Sequence, residues 1–282
     1  MGPGEASEVW GGTRFRRLVA GSRFLLVAEP FADSALQLGL LDSGGLGRLL
    51  EGARGRGGRG PTALLRLPGR LERLHLRGVR HGGALGRVRG GVLFGLERPI
   101  SELRATALLA AAGAPVPTPA LVAAQRRAGP AWTAAVGTIC EEDARDGAAF
   151  LASRPARGRL LRAAAAAGEA VRRLHDAGGA HADLHIANLL VRESEGGTRA
   201  LLVDLDGVRT VAQLSARERM AELMRLYRSL VKRELLARVG PRGCARFFAA
   251  YTEGDRAMRR ALLAHLPRER LRLAIHRLGY AR

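Results

Sequence analysis

The feature that most constrains this chain is the segment His181-Ala-Asp183-Leu-His185-Ile-Ala-Asn188, followed sixteen residues after Asn188 by Asp204 in Leu202-Val203-Asp204-Leu205-Asp206. Ahead of it, Leu160, Ala164, Ala167, Val171 and Leu174 recur on one face of a helix that Gly178-Gly179 closes. Behind it come two short apolar runs, Asn188 to Val191 and Ala200 to Val203, with the turn-forming Glu195-Gly196-Gly197 between them. A helix, a polar loop and a hairpin in that order bring Asp183, Asn188 and Asp204 to the hairpin's mouth.

Hard oxygen donors at such a mouth suit Mg²⁺, which keeps coordination positions for phosphate oxygens. Asn188 and Asp204 are the candidate metal ligands. Asp183 is the candidate base for an incoming hydroxyl, and His185, two residues on, either sits near the transferred phosphate or packs the loop. This is the division of labour that phosphoryl transfer from ATP requires. The order HxDxxxxN, strand, turn, strand, Asp is that of a kinase catalytic loop and its metal-binding motif. Either half alone is a weak sign, while both halves in order, with their strands, are specific. Two other readings compete. Asp183 and Asp204 could be turn and cap residues, or His181, Asp183 and His185 could ligate zinc. The zinc reading lacks a second His/Cys cluster and leaves Asn188 without a task. His181 reads as a brace for the loop backbone. Asp206 either supports the metal or hydrogen-bonds the loop.

Upstream, Gly55-Arg-Gly57-Gly58-Arg-Gly60 fits G-x-G-x-x-G and runs into a strand rather than a helix. That context suits a glycine hairpin over ATP, with Gly57, Gly58 and Gly60 near phosphate, rather than a dinucleotide fold. A plain flexible loop is the alternative. The single lysine, Lys232, lies far from these glycines, so no Walker A motif is present. The cation that a kinase carries on its third strand falls on Arg77, in Leu74-His-Leu-Arg77, with Glu102 on the following helix as its partner. A guanidinium clamps phosphate through two donors, so the exchange of Lys for Arg is chemically sound. Arg80 is the rival cation, and a solvated surface pair is the plain alternative.

The 282 residues, 47% of them hydrophobic, are enough for one or two globular domains. Strand-like runs at Phe24 to Val27, Thr62 to Leu67 and Leu74 to Val79 precede a helix from Glu97 to Ala112, ended by Gly113 and Pro115-Val-Pro117. Strands around Ala120 to Gln125 and Trp132 to Cys140 follow. From Leu214 the pattern is helical, with Met220, Leu223, Met224, Tyr227 and Val231 as the clearest stripe. Residues 1–140 are expected to form a small β-rich lobe, and 141–282 a larger helical lobe carrying the loop. Two cysteines, Cys140 and Cys244, make no disulfide framework.

The net charge is +20, from 46 basic and 26 acidic side chains. Such an excess attracts anionic substrates, membranes or nucleic acid. Aromatic residues are only 4%, too few for a base-stacking surface, so nucleic acid is not expected as a partner. No apolar run reaches the roughly 18 residues of a membrane span, and the N-terminus has no export pattern. A cytoplasmic protein is expected.

Together these residues resemble the lipopolysaccharide core kinases, and most closely the 3-deoxy-D-manno-octulosonic acid (Kdo) kinases. The resemblance is carried by Gly58-Arg59-Gly60, Leu76-Arg77-Gly-Val-Arg80-His-Gly-Gly83, Gly113-Ala-Pro115-Val-Pro117, the loop from His181 to Asn188, and Val203-Asp204-Leu-Asp206, and it runs from about residue 10 to 230. It implies an α+β, protein-kinase-like, two-lobed fold. It implies Asp183 as base, Asn188 and Asp204 on Mg²⁺, and Arg77 with Glu102 as the phosphate anchor. The implied reaction is phosphorylation of the Kdo 4-hydroxyl on lipid A by ATP. The implied place is the cytoplasmic face of the inner membrane, visited peripherally. The stretch from Arg256 to Arg282, with eight arginines and little acidic charge, is a candidate docking face or a plain solvated helix. A heptose kinase is the nearest rival; further off lie a protein or small-molecule kinase, a pseudokinase scaffold and a basic nucleic-acid-binding module. Residues Arg48 to Arg54 occupy the place of a first kinase strand.

Overall fold

A computed structural model describes residues 6–51, 61–79 and 92–280, with side chains described as far as residue 269. The chain divides into two compact units: residues 1–111 with 117–140, and residues 112–116 with 141–282.

The first unit is built on an antiparallel sheet. Its strands are β1 (Ala6–Trp10), β2 (Thr13–Ala20), β3 (Arg23–Ala28), β4 (Thr62–Arg66), β5 (Arg73–Gly78), β6 (Leu93–Phe94), β7 (Pro119–Arg126) and β8 (Ala131–Ile139). They lie in the order β1-β2-β3-β7-β8-β5-β4, with β6 on β8. Its helices are α1 (Ala32–Gln37), α2 (Gly45–Leu50) and α3 (Glu97–Ala111). The central β3 and β7 are buried along nearly their whole length, and their sequences FLLVA and ALVAA are unbroken apolar runs for that reason. β5 alternates instead. Leu74 and Leu76 face the core, while Arg73, His75 and Arg77 share the other face. The first two strands, β1 and β2, extend the sheet beyond β3 in register Arg17↔Leu26. They escape a reading of apolar runs because only Phe15 and Leu18 of β2 are buried, with the half-buried Arg16 and Arg17 between them.

One expectation is corrected. Residues Gly45–Leu50 form the short helix α2, so Arg48 to Leu50 are not part of a strand. Leu46 of that helix is buried in the same core as Leu67 and Leu121. The segment GLGRLL offers an apolar face at helical spacing, which the strand reading overlooked.

The second unit holds α4 (Gly147–Ala152), α5 (Arg157–Asp176), α6 (Ala216–Lys232), α7 (Leu236–Thr252) and α8 (Arg256–Tyr280). A three-stranded sheet of β9 (Ala144–Asp146), β11 (Leu189–Ser194) and β12 (Gly197–Leu202) runs in the order β12-β11-β9, and β10 (Gly179–Ala180) pairs with β13 (Arg209–Thr210). Segment 112–116 belongs here through the Leu202 N–H, which donates to the Pro115 carbonyl at 2.8 Å. α5 presents Ala163, Ala167, Ala170, Val171 and Leu174 to the core. Its small residues let α7 approach closely: a Cβ on Gly168 would lie 2.2 Å from the Phe247 carbonyl oxygen. α6 opens on a capping box between Ser215 and Glu218. α7 is kinked at Gly240, whose φ of 64° and ψ of 173° are not helical, just before Pro241. α5 ends at a turn through Gly178 at φ +80°, a value that glycine adopts readily.

Candidate active site

The loop from His181 to Asn188 lies between β10 and β11, and its position is set first by the hairpin. β11 and β12 pair from Leu189↔Leu202 to Ser194↔Gly197. The Val203 N–H then donates to the Asn188 carbonyl at 2.9 Å, carrying the ladder one step further. Asn188 and Asp204 therefore leave the hairpin at the same end. Leu189, Val191, Ala200 and Leu202 are buried in the interior and fix that register. Asp204 stands at φ +63°, a left-handed conformation that Asp tolerates better than most residues and that is enriched at functional sites.

The loop itself is held through its backbone by α6. Glu222, Arg225 and Ser229 recur at helical spacing, so all three side chains reach one side of the helix. Glu222 Oε2 accepts from the His181 N–H at 3.0 Å, and Arg225 Nη1 donates to the His181 carbonyl at 3.1 Å. Ser229 Oγ accepts from the Ile186 N–H at 2.9 Å. The Asn188 amide donates to the Asp183 carbonyl at 3.1 Å, closing the loop on itself. The three α6 residues were not found from sequence, because a polar residue on an amphipathic helix reads as solvent-facing.

His181 is buried, and burial pushes its pKa below the ordinary imidazole value despite the nearby Glu222, Asp204 and Asp183 carboxylates. A neutral imidazole has one donor and one acceptor nitrogen. Here Nδ1 accepts from the Asp183 N–H at 3.2 Å, and Nε2 donates to the Val203 carbonyl at 3.4 Å. With both nitrogens committed to backbone, His181 does not converge with His185 on a zinc ion. The Asp183 carboxylate is 74% exposed, and its Oδ2 lies 3.5 Å from His185 Nε2. Asp206 is half-buried two residues beyond Asp204.

In the first unit, Arg77 Nη2 on β5 donates to Glu102 Oε1 on α3 at 2.5 Å, with Arg77 18% and Glu102 7% exposed. The pairing expected from sequence is therefore formed, and it is largely shielded from water. His75, on the same face of β5, is held below its ordinary pKa by burial and by the Arg77 charge. Gly57, Gly58, Gly60 and the rival cation Arg80 lie outside the described residues.

The second unit also contains a cavity of about 410 Å³ lined almost wholly by apolar side chains, among them Phe150, Leu160, Met220, Phe247, the loop residue Ile186 and Leu189 of β11. Cys244 borders it, and burial raises that thiol's pKa. Among the described residues, no helix is long and apolar enough to cross a membrane.

Residues 58–251 match the lipopolysaccharide kinase (Kdo/WaaP) family. The chain belongs to this family. Arg77 and Glu102 of the first unit, and the loop and Asp204 of the second, all fall inside the matched span. Among solved structures, WaaP in complex with acyl carrier protein is similar at a TM-score of 0.52 and 21% identity, over 80% of this chain and 90% of that one. A glucosamine kinase in complex with glucosamine, ADP and inorganic phosphate aligns at a TM-score of 0.43 and 16% identity, over 93% of this chain and 82% of that one. No curated protein sequence matches the chain. The likeness to WaaP shows the protein-kinase-like α+β fold. Family membership makes the protein a phosphotransferase of the lipopolysaccharide kinase type.

Proposed function

We propose that this protein transfers the γ-phosphoryl group of ATP to the 4-hydroxyl of a Kdo sugar carried on lipid A. The observation that carries the reading is the loop geometry: an exposed Asp183 carboxylate on a backbone clamped by α6, beside a hairpin mouth that presents Asn188 and Asp204. Asp183 takes the hydroxyl proton as the acceptor oxygen forms its bond to the γ-phosphorus and the bond to the β,γ-bridging oxygen breaks, releasing ADP. The His185 imidazole, close to Asp183, orients that carboxylate or the incoming phosphoryl oxygens. An amide oxygen and a carboxylate are the hard donors Mg²⁺ takes, so Asn188 and Asp204 fit the metal, which when bound neutralises charge on the phosphate oxygens. Arg77, oriented by Glu102, anchors the nucleotide phosphates.

Two observations favour a lipid-linked acceptor. The apolar cavity beside Ile186 and Leu189 suits an acyl chain, whether of a glycolipid or of an acyl carrier protein such as accompanies WaaP in its complex. The net charge of +20 suits an anionic acceptor and a peripheral visit to the cytoplasmic face of the inner membrane. The test is transfer from labelled ATP to purified Kdo-lipid A with Mg²⁺. Labelled product is the expected result. Label found only on heptose-bearing cores would move the acceptor outward by one sugar, and a folded protein that binds no ATP would overturn the reading.

A further inference from the structure

Behind the loop lies a buried polar cluster to which the proposed chemistry gives no role. His175, at the end of α5, is 0% exposed, yet both of its ring nitrogens meet polar partners. Nε2 lies 3.1 Å from Glu222 Oε2, and Nδ1 lies 2.7 Å from the Tyr251 hydroxyl on α7. Glu222 Oε2 is the same oxygen that accepts the His181 N–H. Tyr251 is also 0% exposed, and Arg219 Nη2 donates to the His175 carbonyl at 3.3 Å.

The direction of each bond follows from what each group can give. A buried carboxylate only accepts, so His175 Nε2 carries the proton. Nδ1 is then bare and accepts from the Tyr251 O–H. Burial pushes the Tyr251 pKa up to about 12, so the phenol keeps its proton. One continuous set of bonds thus runs from Tyr251 through His175 and Glu222 to the His181 amide, two residues before Asp183. Such buried networks are costly when any member is left unpaired, and for that reason they hold one geometry.

We infer that Tyr251 and His175 are positioning residues, which seat the Glu222 carboxylate on the His181 amide and thereby fix the loop that carries Asp183. Their role rests on the kinase reading of Asp183. Neither side chain touches the reacting atoms; each acts through the next. A cluster that merely joined α5, α6 and α7 would contribute to stability alike in every part of this unit. A relay acts on one amide and on turnover.

Tyr251→Phe is the first test, because it removes one hydroxyl and keeps the ring. kcat for phosphoryl transfer is expected to fall about tenfold, with KM for ATP and for the acceptor within about twofold. Hydrogen exchange at the His181 amide is expected to quicken about tenfold beyond that of amides in the middle of α5 and α6. His175→Gln, which keeps a donor toward Glu222 and loses the Nδ1 acceptor, should do the same. In a Glu222→Gln background, Tyr251→Phe should lower kcat no further. Uniform loss of protection across the unit with kcat unchanged, or full additivity with Glu222→Gln, would overturn the relay. If the wild type transfers phosphate to no acceptor, the kinase reading fails, and amide exchange at His181 still decides the relay.

Discussion

The two units hold their candidate site residues by different means. In the second, the loop from His181 to Asn188 is fixed through its backbone: Glu222, Arg225 and Ser229 grip its amides and carbonyls, and the His181 ring bridges it to Val203. In the first, the candidate anchor is a side-chain pair, Arg77 on β5 with Glu102 on α3. A loop held largely through its backbone keeps its geometry whichever side chain stands at Asp183, because its own bracing side chains are His181 and Asn188. A side-chain pair can change its cation, and here an arginine stands where a lysine is customary, with two donors to offer a phosphate.

The comparison breaks most sharply at the hairpin mouth. Asn188→Ala and Asp204→Ala are each expected to lower kcat about 10³-fold, with the Mg²⁺ concentration for half-maximal rate rising. Steady-state kinetics over a Mg²⁺ series measures both, and an unchanged Mg²⁺ requirement would remove these residues from the metal. Next in size is the anchor. Arg77→Met should lower kcat/KM for ATP about 10²-fold and destabilise the fold, since the buried Glu102 carboxylate loses its guanidinium partner. Arg77→Lys should fall between. A loss of stability with no change in ATP binding would make the pair purely structural and pass the phosphate role to Arg80.

Smaller effects separate packing from chemistry. Gly168→Ala places a methyl against the Phe247 carbonyl, and should cost about 2 kcal/mol in a denaturant titration while leaving KM for ATP unchanged. Ser215→Ala removes the cap of α6 and should cost about 1 kcal/mol. The Ser215 hydroxyl and backbone hold the Glu218 carboxyl below its usual 4.5. A lowered folded-state pKa stabilises above the usual value, and the benefit fades as the pH falls below 4.5. The gap between the wild type and Ser215→Ala should therefore narrow, without closing, in acid unfolding below pH 4.5, because the Glu218 N–H still donates to the Ser215 hydroxyl of the wild type.

Much of this architecture was legible in the sequence wherever side-chain identity decides the structure. The helix that became α3 and the hairpin of β11 and β12 follow from apolar spacing and turn residues. The Arg77–Glu102 pair and the brace formed by His181 follow from the order of parts in a kinase. What escaped depends on partners distant in sequence. The strands β1 and β2 are held by pairing with β3, and their arginines hide the pattern. The helix α2 was masked by the expectation of a strand at Arg48. Glu222, Arg225 and Ser229 look like an ordinary polar face until the loop packs against them. His175 and Tyr251 sit 76 residues apart, so no local pattern joins them.

The account stands most directly on Asp183. The decisive measurement is single-turnover transfer from ATP to Kdo-lipid A by Asp183→Asn beside the wild type, with ATP affinity and thermal unfolding taken on the same samples. Because the Asp183 carboxylate is exposed and the loop is held through its backbone, folding and ATP binding should be unchanged while transfer falls about 10³-fold or more. Transfer at the wild-type rate by the folded variant would contradict the account.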